Sequence, residues 1–280
     1  MTVIGAVSAH FRRDVAFDLE RVRGIVSDAR ARRVELLVLP HGVLGGYHDV
    51  LEASTVVCGD EVDLPPALPL DHPAVDGLRE LSHGITLVCG ITEDVDGERA
   101  NTALCLHDGR LLGLHRKVHL PTGEQGRYRP GDRFAVLDTP HGGLGLLVDY
   151  DKTFPEAARA LADGGATILA VPSAWPASRT NRADTLTRDR QRRMFDLYDQ
   201  ARAAENQVVL VSANQTGRHG SLRFFGQSKI VLPDGDVVAV VGARAGMAVA
   251  DIDVAEAVAA ARRRFFHLAE RRLHAYGTGS

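Results

Sequence analysis

The stretch Gly145-Leu-Leu-Val-Asp-Tyr-Asp-Lys-Thr-Phe-Pro-Glu156 places ionisable side chains directly after an apolar run. Residues 144–148 read as a buried strand, which Asp149-Tyr150-Asp151 ends. Phe154-Pro155-Glu156 then opens a helix. Thr153 suits its N-cap, Pro155 fits the first turn, and Glu156 complements the helix dipole. A carboxylate at a strand-to-helix turn stands clear of the sheet, where an α/β protein holds a catalytic group. Aspartate is also a common turn former, so this segment alone serves either role.

Positioning such a group takes a framework, and the chain supplies alternating helices and strands. Residues 3–9 predict a first strand. Leu19, Val22, Ile25, Val26 and Ala29 recur at helical spacing and predict an amphipathic helix over 16–32. Residues 35–39 form a buried strand that Pro40-His41-Gly42 stops. The segment 43–71 is loop-like, a length uncommon unless the loop is functional or holds a short helix. Val75, Leu78 and Leu81 mark a second helix, and 85–91 a strand. Strands at 101–107 and 111–115 flank Asp108-Gly109, a strong hairpin signal. Strands at 134–137 and 144–148 pair around His141-Gly142-Gly143. A helix over 154–163, a strand over 167–171 and a loop from Pro172 to Pro176 follow. Next come a long helix over 187–205, a strand over 207–213, and a hairpin of 229–232 with 236–241. A strand over 247–252 and a helix over 254–264 close the pattern. With no repeat or linker, residues 1–280 read as a single α/β domain: a mixed sheet, or two sheets, between helices.

Composition narrows the partners. Hydrophobic residues are 45% of 280, enough for a sizeable core, and the net charge of -3 gives no electrostatic case for nucleic acid or a membrane surface. Three cysteines are too few for a disulfide framework, which fits a reducing cytoplasm. The apolar N-terminus lacks a basic leader and reads as a strand, and no run approaches a membrane span. Cys89 and Cys105 fall inside predicted strands and Cys58 in a distant loop, so all three read as inert.

Four segments carry a further pattern. They are Leu36-Leu-Val-Leu-Pro-His-Gly42; His115-Arg-Lys-Val-His-Leu120 with Glu124 and Pro130-Gly131; Leu147-Val-Asp-Tyr-Asp151 with Phe154-Pro155-Glu156; and Ala201-Arg-Ala-Ala-Glu-Asn206 with Asn214 and Gly226-Gln-Ser228. In content, order and spacing they resemble the nitrilase superfamily, the carbon–nitrogen hydrolases, over nearly the whole chain. The resemblance implies a nitrilase-like four-layer αββα sandwich, a homodimer or larger assembly, and a Glu–Lys–Cys triad. Lys117 matches the lysine, and Glu124 a second, supporting glutamate. His41 stands at the first glutamate's position and Asp149 at the cysteine's.

That departure redirects the chemistry. The family's thiolate attacks a nitrile or amide carbon, whereas a carboxylate is a weak nucleophile toward amides and would form a costly anhydride. Yet the replacements are ionisable, and Asp149, His41, Lys117 and Glu124 in one pocket would shift one another's pKa. The expectation is a cysteine-independent enzyme using acid–base chemistry on a small amide-, amidine- or nitrile-like substrate, by hydrolysis, elimination or cyclisation. Asp149 would act as base, Lys117 would stabilise negative charge, and His41 would donate or shuttle the proton. The alternative is a catalytically inactive binding or scaffold protein with a salt-bridged pocket; an acyl-Asp149 intermediate is a third route. The resemblance also brings the Tyr150 backbone N–H to an oxyanion site and Trp175, Tyr47 and Ser173 to the pocket, although Trp175 and Tyr47 equally suit core packing. His115 and His119 read as structural hydrogen-bonders. No cofactor is implied, and Lys117 would repel a metal from His41, Asp149 and Glu124.

Overall fold

The computed structural model describes residues 1–48, 63–180 and 182–276. The elements in order are β1 (Thr2–Ala9), α1 (Val15–Ala31), β2 (Leu36–His41), α2 (Pro73–Leu81), β3 (Thr86–Val95), β4 (Glu98–His107), β5 (Arg110–Arg116), β6 (Val136–Thr139) and β7 (Gly142–Leu146). A 3-10 turn (Asp149–Thr153) leads into α3 (Pro155–Asp163). There follow β8 (Ile168–Ser173), α4 (Arg190–Asn206), β9 (Val209–His219), β10 (Leu222–Phe225), β11 (Lys229–Val231), β12 (Val237–Val240), β13 (Gly246–Ile252) and α5 (Val254–Arg264).

Thirteen strands share one hydrogen-bonded network among the described residues, with the path β5-β4-β3-β2-β1-β9-β8-β7-β6. The path bends where β1 meets β9, through Ser8 opposite Asn214 and Ala9 opposite Gln215. Its two halves face each other. Alternate strand residues point to opposite sides, so Ile4, Leu36 and Val88 from one half meet Leu146, Ala170 and Val211 from the other in an apolar inner core. Their neighbours Leu37, Leu39 and Leu87 turn outward onto Val22 and Val26 of α1 and Leu78 of α2. Leu169 and Leu210 likewise meet Leu161 of α3 and Ala203 of α4. The layers are therefore helix, sheet, sheet, helix, the nitrilase-like α/β sandwich. Each fully buried Leu or Val in them contributes roughly 1.5–3 kcal/mol.

Local sequence explains the helix starts. Asp14 and Asp189 cap α1 and α4, accepting from the Phe17 N–H at 3.0 Å and the Gln191 N–H at 2.9 Å. Several boundaries differ from the sequence reading. β3 runs four residues past Ile91, to Val95, and turns at Asp96-Gly97 into β4. β9 continues past Ala213 to His219 and pairs with β10, a hairpin the polar run Thr216-Gly-Arg-His219 concealed. β6 begins two residues later than expected, at Val136 rather than Phe134. Much of the predicted 43–71 loop, including Cys58, lies outside the described residues. No helix among those described is long and apolar enough to cross a membrane.

Candidate active site

Asp149 follows β7 after Leu147 and Val148, and the 3-10 turn holds it at φ 45°. That left-handed backbone is costly for most side chains, and aspartate is among the few that tolerate it. One carboxylate oxygen, Oδ1, accepts the Ala174 N–H at 2.7 Å, just past β8. The other, Oδ2, is buried without a hydrogen-bond partner and faces Lys117 Nζ at 3.8 Å. That separation exceeds a hydrogen bond.

Lys117 follows β5. Its N–H donates to Asn101 O and its carbonyl accepts from Gly131, each at 2.8 Å. Its ammonium lies 2.8 Å from either oxygen of Glu124. Tyr47 donates its hydroxyl to the same carboxylate, and the Tyr47 loop is held by Asp18, which accepts the Gly45 N–H at 3.0 Å.

One buried cation thus faces two buried carboxylates, one at contact and one at a distance. The nearer, Glu124, is held down to about 2: burial pushes it up, but Lys117 and the hydrogen bonds it accepts outweigh that. The farther, Asp149, is pushed up to about 6 by burial, only partly opposed by Lys117 and reinforced by the Glu124 charge. Lys117 itself is raised, because the pull of Glu124 and Asp149 exceeds the effect of burial. The lysine is a stable ammonium and Asp149 is the surplus charge.

A cavity of about 340 Å³ opens over this group, and Tyr47, Lys117, Asp149, Tyr150 and Trp175 line it. Trp175 is fixed by its indole N–H, which donates to Gln191 at 3.0 Å, and by edge contact with Phe195. Glu124 sits behind Lys117, outside the lining. Two further expected residues do not reach the cavity. Ser173 is the last residue of β8, fully buried, and its hydroxyl donates back to Val171 O at 3.3 Å. His41 is also fully buried and packs edge-on to Tyr47, its Nε2 3.0 Å from Asn101 Oδ1. Burial, with Lys117 nearby, pushes His41 down to about 4, so its imidazole is neutral and is no proton donor at neutral pH. It fits only because position 90 is glycine, where a Cβ would lie 2.3 Å from His41 Nδ1.

Two functional parts escaped the sequence reading. Asp151 ties the lysine loop to the Asp149 turn. It accepts from the His119 N–H at 2.9 Å, and it meets the rings of His115 at 2.8 Å and His119 at 2.9 Å. Burial pushes this carboxyl up, yet the hydrogen bonds from His115 and His119 hold it well below the usual carboxylate range. The two histidines are structural, as their motif implies. The second part is a buried chain of charges under the turn. Lys152 Nζ lies 2.6 Å from one Asp199 oxygen and Lys229 Nζ 2.7 Å from the other, with the Phe195 ring 3.1 Å and 4.2 Å from the two ammoniums. It clamps the turn to α4 and β11. No local pattern marks it, because the three charges are far apart in the chain.

Among the described residues no group of His, Cys, Asp or Glu could hold a metal ion. Cys89 and Cys105 are fully buried on opposite faces of the sheet, and burial pushes both thiols up to about 12. Neither forms thiolate at neutral pH. Iodoacetamide under native conditions should therefore modify neither residue and leave turnover unchanged. Mass spectrometry of the digested protein reads the labelling; modification of either cysteine in step with lost activity would overturn the assignment.

Residues 4–262 match the carbon-nitrogen hydrolase family. A probable nitrilase of Schizosaccharomyces pombe is 28% identical over 234 residues, covering 80% of this chain and 78% of that one. The carbon-nitrogen hydrolase structure from Helicobacter pylori G27 superposes with a TM-score of 0.84 at 25% identity, covering 98% of this chain and 96% of that one. A mutant amidase from Nesterenkonia sp. AN1, which carries the acetamide moiety of fluoroacetamide on its active-site cysteine, superposes with a TM-score of 0.74 at 26% identity, covering 96% and 97%.

Proposed function

The chain belongs to the carbon–nitrogen hydrolase family, and from that premise we propose that it hydrolyses a small amide-like substrate by general base catalysis at Asp149, without a thiolate. The observation that carries this reading is Asp149 Oδ2: a buried oxygen with no hydrogen-bond partner, on a residue lining an open cavity, 3.8 Å from a permanent ammonium. The protein's own side chains leave a cavity of about 340 Å³ over this oxygen, room enough for a small substrate.

The amide carbonyl enters beside Lys117. Asp149 Oδ2 takes a proton from water as the water oxygen bonds to the carbonyl carbon. Negative charge grows on the carbonyl oxygen, and the Lys117 ammonium stabilises it. The C–N bond then breaks. Asp149 returns its proton to the leaving nitrogen, releasing an amine or ammonia and a carboxylic acid. Lys117 stays charged throughout, because Glu124 holds its proton in place. His41 takes no part in proton transfer.

A base works best when its pKa lies near the working pH. Asp149 at about 6 meets that condition, whereas an ordinary carboxylate would be a weaker base. Only the ionised form accepts a proton, so the rate should climb with pH through about 6 and then level off. Turnover of short aliphatic amides from about pH 4.5 to 8.5 tests this, with roughly tenfold lost per unit well below the midpoint. A rate independent of pH, or one that falls as pH rises through the midpoint, would remove Asp149 as the base.

A further inference from the structure

Beside the cavity lies a smaller recess of about 70 Å³, which shares Ala177, Ser178 and Arg179 with the cavity wall. Arg182, Arg218 and Arg223 also line it, so the recess gathers guanidinium groups at the edge of the site. Among the described residues Asp189 is the one carboxylate lining it, and it is committed elsewhere: it accepts the N–H groups of Ser178 at 3.1 Å and Gln191 at 2.9 Å as the cap of α4. None of Arg182, Arg218 and Arg223 forms an ion pair among the described residues.

The hairpin is an odd place for these charges. Arg218 on β9 stands directly opposite Arg223 on β10. Like charges in that relation destabilise a hairpin, so folding alone does not account for the pair. The same hairpin is docked onto the cavity wall, where the Ala177 N–H donates to Arg223 O at 2.7 Å and Pro176 bridges Phe224. The repelling pair is thus built against the entrance of the site.

We propose that the recess binds an anionic group of the substrate, a carboxylate or a phosphate, while the substrate's amide sits between Lys117 and Asp149. Guanidinium groups match both anions geometrically, and the bound anion relieves the repulsion between Arg218 and Arg223. The inference deepens the proposed hydrolysis and rests on it for the position of the amide.

The test compares three length-matched amides: a neutral one, one ending in carboxylate and one ending in phosphonate. In the wild type, kcat/KM for at least one anionic amide should exceed that for the neutral one by about tenfold or more, the worth of one charge-assisted hydrogen bond. The carboxylate and phosphonate arms show which anion is read. In a protein carrying Arg218→Ala and Arg223→Ala, its fold checked by thermal melting, that ratio should fall to about one. Equal kcat/KM for all three amides in the wild type, or a ratio that survives both substitutions, would overturn the proposal. If no amide turns over, calorimetry with glutarate and inorganic phosphate still reads the recess. Binding that weakens tenfold in the double variant upholds the anion site while ending the hydrolysis reading; absence of binding to either anion ends the anion site.

Discussion

Replacing Asp149 with asparagine is expected to cut turnover of small amides by about 10²–10⁴-fold, the usual worth of a general base, and to make the protein more stable. The two effects have one cause. Lys117 and Glu124 already form a neutral buried pair at 2.8 Å, so the Asp149 charge is the excess. Asparagine keeps the shape, and its carbonyl oxygen can still accept the Ala174 N–H. The sign follows from proton binding. A carboxyl raised to about 6 in the folded protein binds protons there that the unfolded chain releases at lower pH. Stability is therefore lost as pH rises through that interval, by up to about 3 kcal/mol once Asp149 is fully ionised. The Asp149→Asn protein escapes that loss. Its melting temperature should exceed the wild type's at neutral pH, and the two should converge in acid, below the ordinary carboxylate range. Melting curves at both pH values, with steady-state rates on the same preparations, decide the matter. An unchanged rate in the folded variant would remove Asp149 from the mechanism, and a lower neutral-pH melting temperature would show that Asp149 is a stabilising partner of Lys117.

Lys117→Met acts in the opposite direction. It leaves Glu124 and Asp149 as two buried carboxylates without their cation, and breaking a buried pair in this way costs about 3–5 kcal/mol. Turnover should disappear, since nothing then opposes charge on the carbonyl oxygen. The pH dependence again has a definite sign. Lys117 helps hold Glu124 at about 2, so Glu124 stabilises the wild type above the ordinary carboxylate range. Without the lysine, burial raises both carboxyls and the variant weakens as they ionise. Urea denaturation should show the largest deficit at neutral pH and a smaller one as pH falls. A Lys117→Met protein as stable as wild type at neutral pH would mean that the charges are solvated.

The parts of this molecule that were legible in its sequence are those set by local pattern. Short apolar runs marked β2, β3 and β8, and turn chemistry marked the β4–β5 hairpin. Short motifs placed Lys117 and Asp149 correctly on one cavity. Errors arose where a side chain's direction depends on distant neighbours. β2 runs two residues past its expected end at Leu39, to His41, and a bulge in the β2–β3 register and the space above Gly90 turn that side chain inward. Ser173, expected in the loop after a strand ending at Val171, is instead taken up by β8, which pairs with β9 as far as Ser173 opposite Asn214, and so it is buried in the sheet. The division of labour between the two carboxylates rests on 2.8 Å against 3.8 Å to one nitrogen, a difference no spacing in the chain encodes.

The junction between β1 and β9 also orders events during synthesis. Ala9 leaves the ribosome early, while its neighbour Gln215 comes 206 residues later. At about 5–20 residues per second, that delay is on the order of ten to forty seconds. For that interval, and until β13 arrives to pair with Thr2 to Ser8, the nascent first half must keep one edge of β1 without its partners, and an unpaired edge is an invitation to aggregate. Cells making this protein should therefore depend on chaperone capacity most while the middle of the chain is being translated.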